Sequence, residues 1–303
     1  LKILSINKRD LITAEVIQGG NIASNKGFNL PNTKISLSPL TEKDIEDAIL
    51  AIKENVDWLA LSFVRSKSDI EDLLKIIDQN SEYRIPVIAK IEKPEALKNI
   101  DEIIKVSSGL MVARGDLGVE LQSSEIPLIQ KRLVAKAKKA RIPVIIATQM
   151  MESMMDSMSP SRAEVNDVAN SVMDGADAVM LSGETSVGKY PLEVIKTISS
   201  IINKVENSNL ISLANKRPKD QKSKRYITKS ICFSAAKMAN DIKAKAISTL
   251  TNSGYTAFQI SSWRPSTHIL VFTSNKRILT QLNLLWGVKA FFYDGFESTD
   301  KTV

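Results

Sequence analysis

The chain has 303 residues, 43% of them hydrophobic and 25% charged, which is enough for one large or two ordinary globular domains. No apolar run reaches the roughly 20 residues of a membrane-spanning helix, so we expect no membrane partner. The lysines are spread along the chain and only 5% of the residues are aromatic, so we expect no nucleic-acid partner. Cys232 is the only cysteine, which excludes an intrachain disulfide and predicts a cytoplasmic protein. The net charge of +7 suits small polyanionic substrates.

The amino-terminal part of the chain carries signals for β structure and then for helix starts. Residues 1–20 alternate apolar and polar side chains, which predicts antiparallel strands. Thr41 with Asp44, and Ser161 with Glu164, have the spacing of a capping box. We therefore expect helices to begin just after Thr41 and just after Ser161.

Five short apolar runs follow, each succeeded by a segment of helix length. They recur every roughly 23 to 35 residues, which is the βα rhythm of a parallel sheet. The runs are WLALSF (58–63), PVIAKIE (86–92), GLMVARGD (109–116), PVIIATQM (143–150) and AVMLSGE (178–184).

A second α/β pattern occupies the carboxyl-terminal part. Residues 208–222 lose periodicity and gain Asn, Lys and Pro, which predicts an interdomain linker. Residues 223–303 then alternate helices with the strand-like runs KAISTL, HILVFT and KAFFY, and the turn TNSGYT follows the first of them. This pattern predicts a smaller open-sheet domain.

Lys90 and Glu92 are the first candidates for chemistry. Period-two alternation in PVIAKIE puts both on one face at the carboxyl end of the strand, where parallel barrels build their active sites. Alone, the two residues favour a simple ion pair that caps the barrel. With Asp116 one strand along, Glu92 and Asp116 become candidate ligands of a Mg²⁺ ion, and Lys90 becomes a cation beside a transferring phosphoryl group.

Gly115 and Thr148 lie at the same predicted edge. The absence of a side chain lets the backbone of Gly115 approach a ligand, although a plain turn explains that glycine equally well. Thr148 offers a hydroxyl, with the N-cap of the following helix as its alternative.

Three further polar residues are expected to support the site. Ser182 and Glu184 are candidates for proton relay or for bracing the catalytic groups, and a purely structural role is as well supported. Arg114 is expected to pair with Glu120 or Glu152 as scaffolding.

Four of these blocks occur together: KIE (90–92), MVARGDLGVE (111–120), ATQMMES (147–153) and MLSGE (180–184). In order and nearly letter for letter they resemble pyruvate kinases, and the resemblance extends along essentially the whole chain. It implies an α/β fold with a partial (β/α)₈ TIM barrel. Residues 1–38 would be the end of an inserted β capping domain with its hinge, 39–207 the carboxyl-terminal part of the barrel, and 223–303 an incomplete regulatory domain. In that family three strands precede the insert, so we expect this chain to be truncated at both termini.

The resemblance also implies an activity, phosphoryl transfer from phosphoenolpyruvate to ADP giving pyruvate and ATP. It implies a Mg²⁺ or Mn²⁺ ion held by Glu92 and Asp116, K⁺, a homotetramer, and a sugar-phosphate or nucleotide effector. Lys90, Thr148 and Ser182 would be catalytic, with Thr148 near the water that protonates the enolate, and Lys90, Gly115, Asp116 and Thr148 would bind substrate.

Three outlying positions take roles from the same resemblance. Lys26 in NKGFNLP would approach the nucleotide phosphates, and Arg162 would reach across a subunit interface. Thr251, Ser253, Gly254 and Thr256 would hold an effector phosphate, and because Tyr255 between them is not cationic, the identity of the effector stays open.

Two alternatives remain. A Mg²⁺-dependent aldolase or lyase acting on pyruvate enolate needs the same metal pair but neither Lys90 nor NKGFNLP. A non-enzymatic alternative is an inactive fragment, because the family's arginine and asparagine on the early strands and its monovalent-cation ligands have no counterparts here.

Overall fold

The computed structural model describes residues 1–7, 11–20, 40–208, 210–211, 217–218, 222 and 224–295. The chain divides into two compact units, Leu1–Thr33 and Lys34–Val303. Lys26, the predicted boundary at residue 38 and most of the predicted linker lie outside the described residues.

The first unit contains a two-stranded antiparallel sheet, as its alternation predicts. Strand β1 (Lys2–Asn7) pairs with β2 (Leu11–Glu15), from Lys2 opposite Glu15 to Asn7 opposite Leu11. The register shifts between Ile3 and Ser5.

The second unit contains a sheet of five parallel strands, and each predicted run forms one of them. Their order in the sheet is their order in the chain. The strands are β3 (Leu59–Leu61), β4 (Val87–Ile91), β5 (Gly109–Ala113), β6 (Val144–Ala147) and β7 (Ala178–Met180). The helices that flank them are α1 (Glu42–Lys53), α2 (Lys67–Asn80), α3 (Pro94–Lys98), α4 (Ile100–Val106), α5 (Arg114–Glu120), α6 (Ile126–Ala140), α7 (Arg162–Asp174), α8 (Gly183–Ser186) and α9 (Pro191–Glu206).

Both predicted capping boxes are present. The hydroxyl of Thr41 accepts the Asp44 amide at 3.2 Å, and the Asp44 carboxylate accepts the Thr41 amide at 2.9 Å. Ser161 and Glu164 exchange the same bonds at 3.3 and 2.8 Å at the start of α7. Each box satisfies amides that a helix start would otherwise leave unpaired.

Side-chain alternation on the strands fixes which face of the sheet carries the candidate site. Val87, Ala89 and Ile91 point into the main core, where the helices pack, and all three are fully buried. Ile88 lies on the other face, in a smaller cluster with Met111 and Ile145. Lys90 follows Ile88 on this second face, so its charged end reaches the carboxyl end of the sheet without crossing the helix-packed core.

The carboxyl-terminal part forms the small open sheet that the second pattern predicts. Its three strands are parallel in the order β10, β9, β8. Its elements are α10 (Tyr226–Asp241), β8 (Ala246–Leu250), α11 (Tyr255–Ser261), β9 (His268–Thr273), α12 (Lys276–Gln281) and β10 (Val288–Phe292).

Buried polar contacts join this small sheet to the barrel strands. The Arg141 guanidinium lies 3.7 Å from the centre of the Trp263 ring and donates to Ser262 at 2.6 Å. Arg264 pairs with Asp177, the residue before β7, at 2.7 Å. In the described ranges no helix is long and apolar enough to cross a membrane.

Candidate active site

Lys90 and Glu92 meet at the carboxyl end of β4, as their spacing predicts. The Lys90 ammonium lies 2.9 Å from Glu92 Oε1 and donates to the Ser62 hydroxyl at 2.8 Å. The Glu92 side chain is 2% exposed, whereas that of Lys90 is 26% exposed. The ion pair is therefore present, and the partly open lysine still has hydrogen-bonding capacity for an anionic group.

The second oxygen of Glu92 is held by a backbone group that sequence reasoning missed. Phe63, just after β3, has a φ of 54° and donates its amide to Glu92 Oε2 at 2.5 Å. A residue with positive φ turns its amide out of the strand direction. Nothing in the run WLALSF signals that conformation. The two contacts fix the orientation of the Glu92 carboxylate.

Asp116 lies in the first turn of α5, directly beyond the strand next to β4. Its side chain is half-buried, and among the described residues it has no hydrogen-bond or ion-pair partner. Because Ile91 pairs with Val112, the ends of β4 and β5 that carry Glu92 and Asp116 are neighbours. A carboxylate at a helix N-terminus is also favoured by the helix dipole.

The donor set fits a divalent ion that keeps part of its coordination open. No group of three or more His, Cys, Asp or Glu side chains suited to a metal occurs in the part of the chain that the structure describes. Two carboxylates with oxygen donors match Mg²⁺ or Mn²⁺, which keep waters and take further oxygens from a substrate phosphate.

Gly115 and Thr148 contact each other at the same edge. The Gly115 amide donates to Thr148 Oγ1 at 2.8 Å, and that hydroxyl donates to the Ala147 carbonyl at 2.6 Å. A Cβ on Gly115 would lie 3.3 Å from Thr148 Oγ1. The N-cap alternative for Thr148 is wrong, because its φ is 72° and the next helical turn, Glu152–Met155, is preceded by Met151.

The partners predicted for Arg114 are wrong. Its guanidinium pairs with Asp167 of α7 at 2.6 Å and donates to the Thr148 carbonyl at 2.6 Å. Arg114 begins α5 and Glu120 ends it, so the two residues lie roughly 9 Å apart along the helix axis. Arg114 therefore supports the loop that carries Thr148 and contacts helix α7.

Ser182 and Glu184 follow β7 and brace the neighbouring loop. Glu184 is 4% exposed, and its two oxygens accept the amides of Met151 and Ser182 at 3.3 and 2.7 Å. Glu184 therefore links the loops after β6 and β7. The structure brings Lys90, Glu92, Gly115, Asp116, Thr148 and Ser182 to the carboxyl ends of consecutive strands.

The predicted effector residues lie elsewhere: Thr251, Ser253 and Gly254 are in the loop between β8 and α11, and Thr256 is in the first turn of α11. Thr251 Oγ1 accepts the Gly254 amide at 3.0 Å, and Gly254 has a φ of 74°. The Arg225 guanidinium lies 4.1 Å from the centre of the Tyr255 ring. A cation that the loop sequence lacks is thus supplied by the residue before α10. Ser253 is exposed, and so is Arg162 at the start of α7.

Comparisons with known proteins agree with this architecture. The family model described as the pyruvate kinase barrel domain matches residues 1–195, and that of the pyruvate kinase alpha/beta domain matches residues 229–303. Pyruvate kinase of Corynebacterium glutamicum is 44% identical over 99% of this chain and 62% of its own length. Pyruvate kinase of Mycobacterium tuberculosis is 43% identical over 96% of this chain and 60% of its own.

Two further relatives extend the comparison. Pyruvate kinase 2 of Synechocystis is 42% identical over 97% of this chain and 49% of its own length. The crystal structure of a pyruvate kinase from Cryptosporidium parvum superposes with a TM-score of 0.83 at 36% identity, over 90% of this chain and 57% of that one. The chain therefore spans 49% to 62% of the length of these relatives, and it belongs to the pyruvate kinase family.

Proposed function

We propose that this chain carries catalytic residues for phosphoryl transfer from phosphoenolpyruvate to ADP, giving pyruvate and ATP in glycolysis. The observation that carries the proposal is the set of charges at the strand ends. The Lys90 ammonium lies 2.9 Å from the Glu92 carboxylate, and Asp116, just beyond the end of the next strand, has no hydrogen-bond or ion-pair partner among the residues that the structure describes. Family membership supports the same conclusion.

Electrostatic positioning is what these residues contribute. Glu92 and Asp116 would hold a divalent ion, Mg²⁺ or Mn²⁺, whose charge offsets that of the phosphoryl oxygens when it is bound. Lys90 would place its ammonium beside the same oxygens, where a preorganised cation stabilises the negative charge of the transition state. The contacts from Ser62 and Glu92 hold the lysine in place, and its partly exposed side chain stays accessible to a substrate at the carboxyl end of the sheet.

Gly115 and Thr148 would position the rest of the substrate. The Gly115 amide is bonded to the Thr148 hydroxyl, so a substrate carboxylate bound through Gly115 would replace that bond. The freed hydroxyl would then face the enolate and hold the water that protonates it. Ser182, held by Glu184, would complete that proton path.

The remaining assignments rest on the family. We infer a homotetramer, a K⁺ ion in addition to the divalent one, a cytoplasmic location and a nucleotide contact from Lys26. We place a sugar-phosphate or nucleotide effector at the segment from Thr251 to Thr256, at the start of α11, which is supported by the hydroxyls of Thr251 and Thr256 and by the nearby Arg225. The aldolase or lyase alternative gains no support, since the relatives named above are all pyruvate kinases.

A chimera tests the proposal within a complete catalytic frame. This chain would replace the aligned 62% of the Corynebacterium glutamicum enzyme, and pyruvate formation from phosphoenolpyruvate and ADP would be followed with and without Mg²⁺. We expect Mg²⁺-dependent turnover that Glu92→Gln or Asp116→Asn abolishes. A folded chimera with no turnover, or turnover that both variants retain, would reject the assignment.

A further inference from the structure

A second ion pair beside the site joins Lys93 to Glu120. The two charged groups lie 2.5 Å apart, and the side chains are only 16% and 6% exposed. Lys93 directly follows Glu92 at the end of β4, and Glu120 is the last residue of α5. The sequence suggested Glu120 or Glu152 as the partner of Arg114 and gave no sign of a partner for Lys93.

Local helix stability does not account for either charge. Lys93 occupies the N-cap of α3, where a cation opposes the helix dipole and makes no capping bond. Glu120 ends α5, where an anion is equally unfavourable. Burying a charged pair also carries a desolvation penalty that its attraction offsets only with good geometry. The placement of both groups therefore calls for a role in the tertiary structure.

Each partner of this pair connects to one of the proposed metal ligands. The Lys93 ammonium lies 5.7 Å from the centre of the Phe63 ring, and the Phe63 amide holds Glu92 Oε2. Glu120 ends the two-turn helix whose first turn carries Asp116. The opposite end of that helix is tied by the ion pair between Arg114 and Asp167. Helix α5 is thus anchored at both ends by charged contacts.

We propose that Lys93 and Glu120 are positioning residues that fix the separation of Glu92 and Asp116 and thereby set the affinity of the site for its divalent ion. The inference rests on the proposed function. Lys93 restrains the loop that carries Phe63, and Glu120 ties α5 to the end of β4. Loss of either charge lets α5 shift relative to Glu92 while both ligands remain present.

Mn²⁺ titration calorimetry on the purified protein tests this role without an activity assay. Outer contacts that orient metal ligands typically change affinity by about tenfold to a hundredfold. We expect Lys93→Met to weaken Mn²⁺ binding by about tenfold or more, Lys93→Arg to stay within about threefold of wild type, and the exchange Lys93→Glu with Glu120→Lys to recover most of the loss. Lys105→Met is the matched control, because Lys105 and Glu102 form an ion pair on the exposed surface.

Hydrogen exchange of residues 114–121 supplies the second measurement. It should quicken in Lys93→Met and not in Lys105→Met. Wild-type Mn²⁺ affinity in a folded Lys93→Met variant overturns the inference and leaves the proposed function intact. Failure of the wild-type protein to bind Mn²⁺ overturns the proposed metal pair and this inference with it. If Lys93→Met does not fold, the charge exchange decides: affinity close to that of Lys93→Arg supports the role, and a loss of more than about tenfold contradicts it.

Discussion

Arg264 and Asp177 form a buried ion pair at 2.7 Å, with side chains 3% and 4% exposed, between the small sheet and the barrel strands. The same Asp177 carboxylate accepts the amide of Val144, the first residue of β6, at 3.0 Å and that of Trp286 at 3.2 Å. One side chain thus connects two barrel strands to the carboxyl-terminal part. The guanidinium of Arg264 also donates to the carbonyls of Ser261 and Gly175, each at 2.8 Å.

Replacing Arg264 with Met should lower the free energy of unfolding by about 3 to 5 kcal/mol, because it leaves a buried carboxylate without its cation. Arg264→Lys should restore only part of the loss, since an ammonium cannot reproduce the fork of the guanidinium. Urea denaturation measures both. The surface variant Lys105→Met is the control, and an Arg264→Met protein as stable as that control would show that the pair contributes nothing net.

Lys90→Met should reduce turnover in the chimera by a factor that corresponds to about 3 to 4 kcal/mol of transition-state stabilisation, the cost of removing a preorganised charge. The fold should persist, because the lysine is partly exposed and outside the main core. Steady-state kinetics and thermal unfolding on the same samples separate the two effects. Near-normal turnover would mean that Lys90 only forms the ion pair with Glu92 at the end of the sheet and has no part in catalysis.

The elements of this fold were predictable because their signals are local. Strand alternation and the capping boxes involve residues at most four positions apart, and those parts of the prediction are confirmed. The partners of charged side chains were not predictable in the same way. Arg264 finds Asp177 across 87 residues, and Lys93 finds Glu120 across 27.

Errors within the site have specific physical causes. The apolar run at 109–116 does not show where the strand ends: β5 stops at Ala113, and Arg114 is the first residue of a helix, with its side chain paired with Asp167 of α7. Thr148 and Phe63 both have positive φ, which no neighbouring glycine signals. The roles of Lys90, Glu92 and Asp116 depend on which strands are neighbours, and the βα rhythm predicts that order correctly.

Thr148 allows a test of the hydroxyl that bridges Gly115 and Ala147. Thr148→Val removes both hydrogen bonds while keeping the shape, and it should lower turnover about a hundredfold or more if this group supports proton transfer. Thr148→Ser keeps the hydroxyl and should stay within about tenfold of the parent. Solvent isotope effects on turnover give an independent test of whether Thr148 supports proton transfer. Equal rates in the Val and Ser variants would contradict the assigned role.

Glu164 provides a prediction about acid stability. Burial acts to raise the pKa of this carboxyl, but hydrogen bonds from Ser153 and Ser161 outweigh it, so the pKa in the folded state lies below the ordinary glutamate value. A lowered folded-state pKa contributes stability that is fully present above the unfolded pKa of about 4.3 and is lost as the pH falls through the folded value. Glu164→Gln keeps a side chain that can complete the capping box but cannot titrate. Because the carboxyl is partly exposed and solvent screens its contacts, the wild-type protein should exceed Glu164→Gln in free energy of unfolding by at most about 1 kcal/mol at pH 7, and the difference should shrink steadily below about pH 4.5. Urea denaturation of both proteins between pH 7 and pH 3 measures this difference. A difference that stays constant over that range would mean that the stabilisation does not depend on the charge of the Glu164 carboxylate.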